Sequence, residues 1–495
     1  MATLTAAHPL YLAEQVRELE RRFIAAESDG FALMRRAGEA AYQLLRARWP
    51  QARRLCVLCG GGNNGGDGYV VAALAAADGL AVDLIALKPV HSLAGDARRA
   101  AELAAEAGVE PVAWHDELTL DGEVIVDALL GTGATGAPRE PFAAAIEQIN
   151  AAERPVLAID VPSGVDVDTG EILAAAVNAA ITITFIGDKP GLHTGAALDV
   201  VGDVIHDALG TRALDVADVR PVGWLQDRTW LRQALPRRTP NSHKGAHGHV
   251  LVVAGAPGMG GAALMTSEMV ARVGAGKVSL ATDAAHVAAS LTRFPEIMAR
   301  GVRGAPDLAP MIEAANVIAV GPGIGSGAWG EAALASVLSA DKPCVVDADG
   351  LNLLVKHWQG TRRDDWVLTP HPGEAARLLD CSTAEVQRDR RGAVIALQRR
   401  WGGTVVLKGA GTLITDGERL ELCPYGNPGM ASGGMGDALT GIVAGLLGQL
   451  GEPDLAARIG VMIHALAADA AAADGGERGL LASDLASYAR LLANP

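Results

Sequence analysis

The chain reads as an α/β protein of two domains, each a largely parallel sheet covered by helices. Three observations predict this. Short apolar runs alternate with helical patterns through most of the sequence, and glycine-rich loops follow many of the runs. The length, 495 residues, also exceeds the roughly 250–300 at which a single core stops growing.

In chain order, residues 12–26 and 31–48 space their apolar side chains as helices, and LCVLC, AVDLIAL, VIVDALL, VLAID and ITITF then appear as buried strands with helical patterns between them. The alternation breaks at residues 215–240, where prolines, arginines and polar residues gather. The boundary is therefore set there: residues 1–220 as one domain, 221–236 as a linker and 237–495 as the second domain. HVLVVAG, KVSLAT, VIAVGPG, PCVVDAD, WVLTP and TVVLKG supply the second strand series, separated by alanine-rich helices, and residues 454–494 read as two further packing helices.

Composition narrows the function. Hydrophobic residues make up 49% of the chain but aromatics only 4%, so the cores are expected to be aliphatic. The net charge of −15, without a lysine or arginine run, argues against nucleic acid or acidic membranes as partners and for a small molecule. Every long apolar stretch is interrupted within ~18 residues by a charge or histidine, so no membrane-spanning helix is expected. The N-terminal residues lack a basic stretch followed by an apolar core, so no secretory signal is expected either. Five scattered cysteines suit a reducing, cytoplasmic setting. Cys56 and Cys59 form a C-x-x-C, but within RLCVLCGGG they read as a buried strand.

The motif NPGMASGGMGDALTG, residues 427–441, carries the most chemistry. Gly433, Gly434 and Gly436 let successive amides point into one space just before the helical pattern ALTGIVAGLL, so the space should hold an anion. Asp437 at its mouth can take a proton from a hydroxyl while the amides stabilise charge on a phosphoryl group, although it could also merely cap the helix.

In the first domain GGGNNGGDG contains G-x-G-x-x-G at Gly60, Gly62 and Gly65, with Asn63, Asn64 and Asp67 among the glycines. Asp127, Asp160 and Lys189 also follow strands and can converge at one sheet edge. Asn64, Asp127 and Ser163 offer oxygen ligands to a monovalent cation, and Asp160 with Lys189 forms a candidate acid–base pair.

No G-x-x-x-x-G-K-[ST] is present, which excludes a P-loop. His243, His247 and His249 fit no common zinc spacing. His371, between two prolines, reads as a ligand contact, and Lys408 to Thr412 can meet a phosphate.

The ordered series QVRELE, ALMRRAGEAA, GGGNNGGDGYVVA, DALLGTG, AIDVPSGVD and ITF…KPGL resembles the NAD(P)H-hydrate epimerase family over residues ~10–210. The resemblance implies a Rossmann-like three-layer fold and a potassium ion at Asn64, Asp127 and Ser163. It implies nucleotide contacts at Asn63, Asn64, Gly65, Gly66 and Asp67, and at Gly131, Thr132, Gly133, Ala134, Thr135, Gly136 and Ala137. Asp160 and Lys189 would lie at the reacting centre.

From HKGAHGHVLVVAG through AVGPGIGSG, VVDADGLNLL, LTPHPGEAARLL and VLKGAGTLI to the Asp437 loop, the second half resembles the ADP-dependent NAD(P)H-hydrate dehydratase family, ribokinase-like in fold. Hydrated cofactor would then contact Ala262, Gly323, His371 and Asp437. The adenine nucleotide, with Mg2+, would contact Lys408, Gly409, Ala410, Gly411, Thr412 and Gly436. Together the halves resemble the bifunctional NAD(P)H-hydrate repair enzyme family, and a homo-oligomer is expected. Gly350 in DADGLNLL and Leu130 in DALLGTG depart from the usual family residues, at positions that carry no chemistry. The rival readings are a ribokinase-like vitamin kinase fused to a nucleotide-binding domain, and a binding scaffold without catalysis.

Overall fold

A computed structural model describes residues 8–27, 29–211 and 218–495. The first seven residues, on which part of the signal-peptide reading rests, and residues 212–217 at the expected boundary lie outside the described residues. The chain folds as two compact units, Pro9–Gly223 and one built on Trp224–Pro495.

The first unit holds a seven-stranded sheet. From edge to edge its strands are Val112–Ala113, Ala81–Ala86, Arg54–Cys59, Val124–Ala128, Val156–Ile159, Ile181–Phe185 and Asp203–Asp207, every neighbour parallel. Alternation along Arg54–Cys59 explains the layers: Leu55, Val57 and Cys59 enter one hydrophobic cluster, Cys56 and Leu58 the other. A strand buried on both faces must be apolar throughout, which is why LCVLC is a continuous run. Cys56 and Cys59 are accordingly buried on opposite faces and unpaired.

The helix Asn63–Ala77 starts inside GGGNNGGDG and lies close against the sheet at Gly68, where a Cβ would stand 2.5 Å from that of Ala128 and 2.8 Å from Cys59 Sγ. A Cβ at Gly65 would stand 2.2 Å from the carbonyl oxygen of Gly60, so no larger residue fits where the loop folds back on itself.

In the second unit the strands run in the order Gly223–Leu225, Leu420–Cys423, Thr412–Thr415, Thr404–Leu407, Trp366–Leu368, Cys344–Val346, Val317–Val320, His249–Val253, Lys277–Thr282 and Met298–Gly301. All neighbours are parallel except at Thr412–Thr415, which runs antiparallel to both of its neighbours. Helices Gly260–Arg272, Met435–Leu450 and Pro453–Gly475 share one core with Val250, Val252, Val317, Ala319, Val345 and Val367.

Two expectations change. Residues 221–236 do not form a bare linker: Trp224 and Leu225 pair with Glu421 and Leu422, and Trp230, Leu231 and Ala234 are buried in the second core. The prolines and arginines that suggested a linker surround an apolar segment with a sheet edge to join. Pro453–Gly475, 23 residues long with a window of mean hydropathy 1.4, is long and apolar enough to cross a membrane by composition, against the sequence reading. Yet 67% of that window is buried within the protein, as in a core helix whose partners are also apolar.

Gly65→Ala should destabilise the first unit by about 1–3 kcal/mol through forced displacement of the Gly60 turn. Hydrogen exchange of the Asn63–Ala77 amides should rise in that variant, while the second unit keeps its protection.

Candidate active sites

In the first unit, loops after parallel strands meet around a cavity of about 530 Å³ lined by Arg17, Glu20, Asn63, Asn64, Asp67, Gly131, Thr132, Gly133, Ala134 and Asp160 among others. Asp160 follows the strand Val156–Ile159 directly and has φ +64, a left-handed conformation that costs a non-glycine residue on the order of 1–3 kcal/mol and is found where function holds it.

Its Oδ1 accepts from Lys189 Nζ at 2.6 Å and its Oδ2 from the Thr132 amide at 3.1 Å. Burial pushes the Asp160 carboxyl up, but the Lys189 ammonium and Thr132 outweigh it and hold the group below the usual carboxylate range. Lys189 is fully buried and donates also to Thr184 Oγ1 at 2.7 Å and the Phe185 carbonyl at 3.1 Å. All three of its N–H groups are engaged. The pair expected to exchange protons is thus a buried ion pair with the carboxylate ionised. Thr184, not singled out from sequence, is the neutral acceptor that makes a buried ammonium tolerable.

Asp127 and Ser163 meet as predicted. Asp127 Oδ1 accepts from Ser163 Oγ at 2.7 Å and the Leu129 amide at 3.1 Å, and Oδ2 from the Ser163 amide at 2.8 Å. Burial raises Asp127 to about 6 against these hydrogen bonds. Asn64 is brought to the Gly131 turn, where a Cβ would lie 3.0 Å from its own Cβ. Both polar atoms of the Asn64 side chain are buried without a partner.

Gly65 and Gly66 do not line the cavity; Gly65 packs on Gly60 and Gly66 on Met34. Thr135, Gly136 and Ala137 are exposed beyond its rim.

In the second unit the N-cap of Met435–Leu450 is Gly434, at φ +94, and Asp437 is the third residue of the helix, with no hydrogen bond to its carboxylate among the described residues. Asp437 is therefore not a cap. Burial, then the charge of Asp347, push its carboxyl up to about 6 despite Lys408.

A Cβ at Gly436 would lie 3.3 Å from Lys408 Nζ and 3.5 Å from Asp347 Oδ2, so the glycine keeps a side chain out of the space these charges share. Lys408 follows the strand Thr404–Leu407 and contacts Asp347 Oδ1 at 2.7 Å. Gly409 and Gly411, at φ +133 and +66, turn the chain into the antiparallel strand that Thr412 begins, and Thr412 Oγ1 donates to the Gly409 carbonyl at 2.9 Å.

Ala262 meets Gly323: a Cβ on Gly323 would be 3.3 Å from that of Ala262. His371 caps the helix Pro372–Leu379, its Nδ1 accepting from the Gly373 amide at 3.0 Å while Glu374 Oε2 accepts from the His371 amide at 2.8 Å. Burial, then Lys408, lower its pKa, so it is neutral at pH 7. His249 opens a strand and binds Ser279 Oγ and the Ala314 carbonyl, a satisfied core histidine.

Sequence reasoning passed over Asp347 and Arg390. Asp347 follows a strand within VVDADG, the same signal that singled out Asp160. Arg390 is 1% exposed and sends Nη2 to the carbonyls of Leu407, Lys408 and Gly411 at 3.3–3.4 Å, bracing the phosphate-type loop from below. Its place in an ordinary RRG helix start offered no such clue. Arg390→Met should cost roughly 2–3 kcal/mol by leaving buried carbonyls unpaired, seen as a lower unfolding temperature of the second unit, with weaker nucleotide binding.

Comparison with known proteins assigns a family to each half of the chain. A family model described as YjeF-related protein N-terminus matches residues 30–191, and one described as NAD(P)H-hydrate dehydratase matches residues 250–490. The bifunctional NAD(P)H-hydrate repair enzyme Nnr of Coxiella burnetii is 48% identical over 98% of this chain and 99% of its own. That of Escherichia coli is 44% identical over 99% and 94%. Among solved structures, a ribokinase-like superfamily protein from Enterococcus faecalis aligns at TM-score 0.51 and 28% identity, covering 55% of this chain and 96% of its own. With relatives matched end to end and each half carrying its own loop-built site, the chain belongs to the bifunctional NAD(P)H-hydrate repair enzyme family.

Proposed function

We propose that the first unit interconverts the two epimers of hydrated NADH or NADPH and that the second dehydrates one of them with ADP. The observation that carries the second half is Asp437: a half-buried carboxyl raised to about 6, set in the first turn of a helix whose glycine N-terminus leaves its amides free to receive an anion. Such a group is ionised at neutral pH yet basic enough to take a proton.

The substrate is a nicotinamide ring that has gained water, leaving a hydroxyl on the carbon beside the ring nitrogen. Asp437 removes the hydroxyl proton as the oxygen attacks the β-phosphorus of ADP, and AMP leaves. The helix amides and Lys408 stabilise the charge on the transferring group. Phosphate then departs from the ring carbon, pushed by the nitrogen lone pair, and the iminium so formed loses a proton from the neighbouring ring carbon to solvent, which re-forms the ring double bond and restores the reduced cofactor. Ala262, Gly323 and His371 are assigned to the hydrated cofactor. Lys408, Gly409, Ala410, Gly411, Thr412 and Gly436 are assigned to the nucleotide.

Among the described residues no group of three or more His, Cys, Asp or Glu side chains could hold a metal ion. This fits Mg2+ entering on the nucleotide phosphates, where it would neutralise their charge. For potassium, the orphaned Asn64 side-chain oxygen beside the Gly131 turn supports a cation site with Asp127 and Ser163. Bound there, the ion would supply fixed positive charge toward an anionic substrate. Asp160, kept ionised by Lys189, is assigned as the base at the epimerising centre, with Asn63, Asn64 and Asp67 and the Gly131 to Ala137 loop holding the nucleotide portion.

Asp437→Asn should lower dehydration at least ~10²-fold with ADP binding largely kept, followed by the absorbance of regenerated NADH. In the wild type, kcat/KM should fall as pH drops through about 6, because protonation removes the base. Asp160→Asn, given both epimers and ADP, should regenerate NADH quickly from one epimer and then slow to the uncatalysed exchange rate. Exchange should also weaken in potassium-free buffer while dehydration of the reactive epimer persists. A stable phosphorylated product in place of NADH would instead favour the kinase reading.

A further inference from the structure

Asp347 follows the strand Cys344–Val346 and is 1% exposed. Each of its oxygens has one side-chain partner: Oδ1 accepts from Lys408 Nζ and Oδ2 from Thr440 Oγ1, both at 2.7 Å. Thr440 lies three residues after Asp437 on the helix Met435–Leu450, a spacing that puts both on one face. The carboxylate also comes against Gly436, which precedes Asp437.

We infer that Asp347 is a positioning residue of the dehydratase, its carboxylate tying the phosphate-binding lysine to the helix that carries the base and fixing the charge beside that base. The inference rests on the reading of Asp437 as the base. Asp347 itself is buried, with both oxygens engaged by Lys408 and Thr440, so it is assigned no direct part in the reaction. Stability alone is a weak reason for the bridge, since a buried ion pair generally does no better than apolar side chains of the same shape. Its position explains it: without Asp347, the ammonium that meets the phosphates would be free to swing toward Asp437 and neutralise it.

The charges around Asp437 set the expected sign. Asp347 and Asp349 face it from the segment after Cys344–Val346 and raise its pKa, and Lys408 faces it from the loop after Thr404–Leu407 and lowers it. Glu374, with Oε2 3.9 Å from Lys408 Nζ, acts on Lys408 from the helix Pro372–Leu379, while His371 at the start of that helix is held neutral by burial and, in part, by Lys408. His464, on Pro453–Gly475, is buried and held neutral at pH 7, its pKa lowered to about 4. Removing the Asp347 charge takes away the largest of the charge effects that raise Asp437 and leaves Lys408 opposed mainly by Glu374. The base should then ionise at lower pH.

The test uses the full chain, with one epimer of hydrated NADH, ADP and Mg2+ across pH 5–9, comparing wild type, Asp347→Asn, Thr440→Val and Asp437→Asn. For Asp347→Asn the KM for ADP should rise about tenfold or more, the loss expected when a charge-assisted contact is removed. The acid limb of kcat/KM should move by at least about half a pH unit to lower pH. Thr440→Val keeps the charge and loosens the bridge, so it should raise KM for ADP without moving the limb. The unfolding temperature of the second unit reports whether each variant is folded, and epimer exchange by the first unit serves as the internal control for protein amount.

An Asp347→Asn protein with unchanged KM and an unmoved limb, beside an inactive Asp437→Asn, would overturn the positioning role and leave the base in place. Full activity in Asp437→Asn would instead remove the base reading itself. If Asp347→Asn fails to fold, an unchanged KM for ADP in Thr440→Val overturns the inference.

Discussion

Parallel pairing is the constraint on which both sites depend. Strands that run the same way deliver their following loops to the same edge, so residues far apart in sequence meet without any long-range design beyond strand order. In the first unit this brings Gly60, Asp127, Asp160 and Lys189 to one rim, and in the second Gly323, Asp347, His371 and Lys408. The strands can be parallel only because helices cover both faces, and that coverage requires the unbroken apolar runs in the sequence.

At each rim the same electrostatic problem is solved. A lysine is withdrawn from solvent and compensated by a carboxylate from another strand end, Lys189 by Asp160 from the adjacent strand and Lys408 by Asp347 from two strands away. The outcomes differ because the third partners differ. Thr184 and the Phe185 carbonyl complete the shell of Lys189, so its charge serves to keep Asp160 ionised. Lys408 is partly open on the side of Gly436, so its charge is available to a phosphate, and the carboxylate it faces across the glycine, Asp437, is pushed up rather than down. One site therefore holds a carboxylate kept below its usual range and the other a carboxyl raised above it.

Much of this was legible in the chain. The alternation of apolar runs and helical patterns announced the two sheets, and glycine clusters after strands marked GGGNNGGDG and the Asp437 loop, because only glycine permits backbone to approach so closely. Asp127 with Ser163, Asp160 with Lys189, and Gly436 with Lys408 do meet. Less legible were positions whose role is set by neighbours: Gly65 and Gly66 turned out to pack against the protein itself, and Trp224 and Leu225, within the expected linker, pair at a sheet edge.

The sequence by itself determined the period of each segment, the close approaches that need glycine and the residue types available at each strand end, since these follow from local geometry. Only the tertiary structure decided which charges face one another. Asp347 and Asp349 are two residues apart in one motif, yet Asp347 binds Lys408 and Thr440, whereas Asp349 Oδ2 accepts from the Gly325 amide. Ionisation, burial and counter-ion choice are properties of distance in space, so the linear pattern did not show that Asp347, and not Asp349, is the partner of Lys408.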